Sequence, residues 1–352
     1  MSLTKNDNNQ EFIADKSTET KNVPQKMEKQ IINESPSNFN PVIKNFSPLD
    51  SQGNVCEEKN ELKFFGVSEF YVKEISEELI SKYGNYFLKS FDQKNFDIPP
   101  PNFMERHKIN PIIRTKMVNW MLEVFHSFKS NEETIFGAVA IMDKYIWKTE
   151  ETLKSEDIHL IGIVSMYLSS KIYDHYPIQM SKMIHIVGHD LFDQKTIKEM
   201  EQKIIKTIDF EVMTPNSYEF IQFLLYDLYL NNKENIVKLQ LKKTLDILEN
   251  CSIWLAKLCN HFDKYSSVSP IFVSVACVLI AYDMMKANCK NMNDTMKKFF
   301  RDWLNFLYKN IAKTQEIKNE IEQIYKNIGM SYNGFQKMNL KNLSEYHELY
   351  FD

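Results

Sequence analysis

Apolar side chains in this chain recur three and four residues apart, the period of a helix with one buried face. Between residues 112 and 128, Ile113, Met117, Trp120, Met121, Val124 and Phe128 share such a face. The same spacing predicts helices over about 110–128, 132–148, 155–172, 179–188 and 193–208. Ser155, followed by Glu156 and Asp157, reads as the start of the third. That third helix carries Gly162, Ser165 and Ser169 on one stripe, which lets neighbours approach closely and suits the centre of a bundle. Thr214 and Pro215, a cap and a first-turn proline, open a second set over about 215–230, 234–260, 268–286, 295–309 and 311–328. Its third member again holds small residues, Ser274, Ala276, Cys277 and Ala281, in an almost wholly apolar run. A repeated five-helix unit follows from the pattern alone.

The ends read differently. Residues 1–66 are rich in Asn, Lys, Glu, Ser and Thr with isolated apolar positions, too little to offset the entropy of ordering, so a disordered tail is expected. Ser35 and Ser47 each precede a proline and fit proline-directed phosphorylation. Ile75, Leu79, Tyr83, Tyr86 and Phe87 predict an amphipathic helix within 67–91. Pro99, Pro100 and Pro101 then impose an extended linker up to residue 103. A loose tail is expected over 329–352.

Composition narrows the class to all-α. Eight glycines, 11 prolines and few alternating runs argue against a β-rich fold. Five cysteines without a C-x-x-C pair read as free thiols in a reducing compartment. A net charge of −4, spread along the chain, argues against a protein built to grip nucleic acid. The N-terminus has no signal-peptide core and no run approaches membrane-spanning length, so a soluble intracellular protein is expected.

Two charges break the apolar pattern. Arg114 lies on the apolar side of its helix near Val118, Met121 and Phe125. Asp143, one helix later, shares a face with Phe136, Val139 and Ile146. Each alone would cost several kcal/mol to strip of water. A bidentate pair between them is the simplest remedy. The alternative is that both side chains reach the rim.

The segment 104–215 resembles the first box of a cyclin, the regulatory subunit of cyclin-dependent kinases. Arg114 and Trp120 match the Arg and Trp of that family's opening helix, and Asp143 matches the Asp of its second. Leu160 and the run from Ser169 to Asp174 match its third. The resemblance implies tandem cyclin boxes, two five-helix bundles over 104–213 and 214–328, preceded by an N-terminal helix that touches the kinase. It puts Lys171 and Glu201 at the kinase-binding Lys and Glu, with Ile172, Phe210 and Val212 lining the groove between them. The stretch before the box leans toward the mitotic A and B type. The tail lacks Arg, however, and so cannot hold the Arg-x-x-Leu destruction element usual there. Lys233-Glu234-Asn235 spells another degradation tripeptide by chance in an inter-helix loop.

The family also implies a substrate-docking patch for Arg-x-Leu peptides. Here it would be an exposed strip of Ile113, Met117 and Trp120 with Glu123 facing the peptide arginine. Lys116 stands where the family has an apolar residue, and shrinks that strip. The acid pair that follows the family's Lys is reduced to Tyr173 and Asp174. No catalytic residue, cofactor or metal is expected. His185 and His189 have a metal-binding spacing, but Ile186 replaces the acid of a H-E-x-x-H site. The expected function is activation of a cyclin-dependent Ser/Thr kinase in cell-cycle control, in nucleus and cytoplasm, with no nucleic-acid or membrane partner. The alternatives are a cyclin serving transcription or nutrient sensing, and a cyclin-fold transcription factor.

Overall fold

The computed structural model describes residues 97–231, 242–288, 294–312 and 314–337. The expected tail over 1–66 with Ser35 and Ser47, the helix over 67–91 and the tripeptide at Lys233 lie outside them. Among the described residues every named element is a helix; the one β-bridge joins Lys108 to Lys154.

The first bundle comprises α1 (Pro111–Phe128), α2 (Glu132–Lys148), α3 (Asp157–Tyr173), a short α4 (Met180–Lys182) continuing as a π-turn through Val187, and α5 (Gln194–Thr207). Asn110 caps α1 by accepting from Ile112 N–H, with Pro111 at the first turn, where its missing donor costs nothing. Lys129 ends α1 in the left-handed region (φ 54°). Glu132 and Glu133 place acids at the positive end of α2. Its far end is held from outside. Arg106 donates to the carbonyls of Ile146, Trp147 and Thr149, and His107 Nε2–H donates to Ile146 O at 2.7 Å. His107 Nδ1 meanwhile accepts from Leu153 N–H, so the ring is the neutral Nε2–H tautomer.

Ser155 was expected to cap α3, yet the helix begins at Asp157. The Ser155 hydroxyl is engaged with Lys108 O and Asn110 N–H instead, and Asp157 accepts from Lys154 N–H. From there α3 runs through the middle of the bundle. Gly162 faces α1, where a Cβ would collide with the Met117 side chain. Ser169 donates to Thr134 O of α2 at 2.7 Å. A Cβ on Gly137 of α2 would in turn strike the Tyr173 ring. The small-residue stripe is therefore shared by two neighbours of α3.

The second set comprises α6 (Ser217–Asn231), α7 (Lys242–Asn260), a single turn at Asp263–Ser266, α8 (Pro270–Asn288), α9 (Asp294–Ile311) and α10 (Gln315–Lys337). Thr214 and Pro215 stay outside α6 because Asn216 is the cap, its side-chain oxygen accepting from Tyr218 and Glu219 N–H. Buried α8 approaches α6 through Ser274, whose hydroxyl donates to Pro270 O at 2.7 Å and lies 2.9 Å from Ser217 O. The last helix extends nine residues past its expected end at 328. Ser331 is buried there and shares a 2.9 Å hydrogen bond with the Tyr265 hydroxyl, so the helix is still packed at 331, where a loose tail was expected.

Candidate functional site

Arg114 and Asp143 meet in the core. Nε donates to Oδ1 at 2.8 Å and Nη2 to Oδ2 at 2.6 Å, a bidentate bond between side chains only 1% and 3% exposed. Burial pulls against the charged guanidinium, but the Asp143 carboxylate outweighs it and raises the Arg114 pKa. The pair also reaches into the second bundle. Arg114 Nη1 donates to Asn260 O at 3.1 Å, and Ser266 Oγ donates to Asp143 Oδ2 at 2.6 Å. Thr115 Oγ donates to His261 O at 2.9 Å beside them. What the sequence presents as a bond within one bundle is a bolt across two.

Next to Asp143, Lys144 is buried as well. Its ammonium lies 2.9 Å from Asp97 Oδ2 and 2.7 Å from Glu211 Oε2, while Lys148 meets Asp97 at 2.6 Å. Burial alone would raise the Asp97 pKa, yet the bonds from Lys148 and Lys144 hold it below the usual carboxylate range. One cation on α2 thus joins the segment entering the bundle to the segment leaving α5. Lys144 carries no sequence signal beyond its place beside Asp143. The caps Arg106 and His107 give none at all, because their partners lie about 40 residues away.

Of the expected kinase-binding residues, Lys171 and Ile172 close α3 and Glu201 lies on α5, while Phe210 and Val212 follow the end of α5. Lys171 and Glu201 form an ion pair, the acid more buried than the lysine. Lys171 Nζ also sits over the Tyr167 ring, 4.2 Å from its centroid. Lys171 is in the last turn of α3, where a cation suits the helix dipole. Ile172 and Val212 are half-buried against the core. Phe210 is 72% exposed, and Met213 after it 68%. The first bundle thus offers a Lys–Glu pair, which can exchange its mutual bond for bonds to a partner backbone, and exposed apolar side chains in the segment after α5. Such a surface suits a protein partner.

The docking strip differs from its expectation. Ile113 and Trp120 are half-buried, as are Lys116 and Glu123, but Met117 is 6% exposed. Gly162 leaves a hollow in α3 that Met117 fills, which removes it from the surface. Trp120 packs near His159 (ring centroids 5.4 Å apart), and His159 near Phe192 (5.6 Å). Burial lowers the His159 pKa to about 4. His185 pairs with Asp190 at 2.5 Å, and His189 lies beyond the helix in a left-handed turn (φ 47°), so the two do not share a helical face. Among the described residues no group of three His, Cys, Asp or Glu side chains is placed to hold a metal ion. No described helix is long and apolar enough to cross a membrane.

Comparison with known proteins agrees with this architecture. The family model for the cyclin N-terminal domain matches residues 87–213. A G2/mitotic-specific cyclin-B of Patella vulgata is 22% identical over 64% of this chain and 60% of its own length. A G2/mitotic-specific cyclin-A of Drosophila melanogaster is 27% identical over 35% of this chain, a match spanning only 25% of that relative. Among solved structures, a viral cyclin from herpesvirus saimiri superposes with a TM-score of 0.53 over 72% of this chain and 97% of its own, at 13% identity, a likeness of fold. Residues 87–213 thus carry a cyclin N-terminal domain, and the chain is similar in sequence to mitotic cyclins and all-helical among its described residues.

Proposed function

We propose that this chain is the regulatory subunit of a cyclin-dependent Ser/Thr kinase and acts in cell-cycle control, in nucleus and cytoplasm. It contributes no catalytic residue. Its effect is a population shift: it binds the kinase's active arrangement better than the inactive one, and the difference in affinity is the activation. The observation that carries this reading is the Lys171–Glu201 pair on the first bundle, with Phe210 exposed in the turn that follows α5. The pair is preformed on two packed helices, so little entropy is lost when it clamps the ends of a kinase helix. The mitotic names of the relatives support the cell-cycle assignment.

The test is co-purification of the bound kinase followed by a histone-phosphorylation assay. The Lys171→Ala/Glu201→Ala double variant is expected to keep its fold, judged by circular dichroism, and to lose stimulation of the kinase. Full stimulation by that variant would remove the assignment. Docking of Arg-x-Leu peptides to Ile113, Trp120 and Glu123 is expected to be weak, because Met117 is occupied in the core and Lys116 repels the peptide arginine. Peptide titration monitored by Trp120 fluorescence checks this.

A further inference from the structure

The turn leaving α5 is built against its own backbone preferences. Asp209 (φ 54°) and Phe210 (φ 63°) both lie in the left-handed region, which a bulky side chain adopts least readily. Such strain persists only where the surroundings hold it. Burial of the ring does not hold it, since Phe210 is 72% exposed. Local bonds close the turn on itself, from Phe210 N–H to Ile205 O at 2.9 Å and from Val212 N–H to Phe210 O at 3.0 Å. Its charged link to the bundle interior is Glu211, whose Oε2 meets Lys144 Nζ at 2.7 Å and whose carbonyl lies 3.5 Å from it.

Lys144 is unusual in this role. Its side chain is 4% exposed, while its partners Asp97 and Glu211 are 36% and 59% exposed. A cation so deeply desolvated cannot exchange these carboxylates for water, so it fixes their positions rather than merely meeting them. We propose that Lys144 is a positioning residue for partner binding: from inside the first bundle it anchors Glu211, and through Glu211 the strained turn that presents Phe210. The inference rests on the reading of that face as the kinase-binding surface.

The experiment titrates the full chain against a purified cyclin-dependent kinase and reads Kd, with thermal unfolding of each variant in parallel. Lys144→Met keeps the apolar stem and removes the charge, and is expected to weaken binding on the order of tenfold. Lys144→Arg is expected to recover most of that loss. The deciding readout is a double-variant cycle. If Lys144 acts through the Phe210 ring, Lys144→Met added to Phe210→Ala weakens binding no further than Phe210→Ala alone. Additive losses would mean a merely structural lysine and would overturn the proposal. Should Lys144→Met fail to fold, Glu211→Gln carries the same cycle, because it leaves the Lys144–Asp97 pair in place. If Phe210→Ala weakens binding and Lys144→Met and Glu211→Gln do not, this inference alone fails. An unchanged Kd for Phe210→Ala would overturn the kinase-face reading and the inference with it.

Discussion

Arg114 is among the largest fully buried side chains of the described residues, and its donors reach acceptors in Asp143, Asn260 and Ser266. Removing Asp143 would leave a guanidinium in the core with only a carbonyl and a hydroxyl. Asp143→Ala is therefore expected to destabilise by about 3–5 kcal/mol, read from urea unfolding. Replacing both partners by apolar residues of similar volume, Arg114→Met with Asp143→Leu, should recover most of that loss. A cost for Asp143→Ala near that of an ordinary surface substitution would mean the pair is not the bolt it looks like. The pair itself was legible in the sequence because two isolated charges stood on apolar faces of adjacent helices. Its outer partners, Asn260 and Ser266, were not, since they lie more than a hundred residues away and are ordinary polar residues at a helix end. Met117 misled for a related reason: periodicity places it on a face but does not say whether a neighbour fills the space above it.

The helices were more legible than their ends. Apolar spacing located the bodies of α1, α2, α3, α5 and α8 to within a few residues, because a buried face imposes its period on every turn. Caps failed where a competing bond drew the expected residue away. Ser155 reaches back to the segment before α1, and Asn216 rather than Thr214 meets the first free amides of α6. Beyond its expected end, α10 is held by a tertiary bond, Ser331 to Tyr265, that no local pattern encodes. At this scale the two glycines on the flanks of α3 make a contrast. A methyl at Gly162 meets the flexible end of Met117, which can swing aside, whereas one at Gly137 meets the Tyr173 ring and the Ser169 hydroxyl. Gly137→Ala is expected to cost about 1–3 kcal/mol despite the better helix propensity of alanine. Gly162→Ala should cost clearly less, and thermal melts of the two variants side by side decide it. Equal melts would mean that Tyr173 yields as easily as a methionine.

The two bundles meet along a seam that gathers most of the strongly shifted titrating groups, so pH acts on the whole molecule through it. Phe136 of α2 stacks near Tyr218 of α6 (ring centroids 5.7 Å apart), and Lys257 of α7 reaches Glu132 of α2 at 2.5 Å. Beside them Glu219 is pushed up to about 8 by burial and by the neighbouring Glu133, which burial also raises. Glu132, Glu249, Tyr173 and Tyr218 face the same region, and Lys257 is the cation nearest it in these contacts. A carboxyl whose folded pKa lies above its free value of 4.5 gives stability that is complete below 4.5 and lost as pH rises through about 8. On the other side of neutrality, His261 is held neutral at the seam, burial lowering it from 6.5 to about 4. Its contribution is present above 6.5 and lost as pH falls through about 4, and His159 in the first bundle adds to the same limb. Stability, read as the urea midpoint, is thus expected to fall on both sides of a maximum near pH 6. Glu219→Gln should flatten the alkaline limb, raising the midpoint at pH 8.5 while changing it little at pH 5, because a neutral amide replaces the group that must ionise. A variant profile parallel to that of the parent across this range would place the titration elsewhere and leave the seam as packing alone.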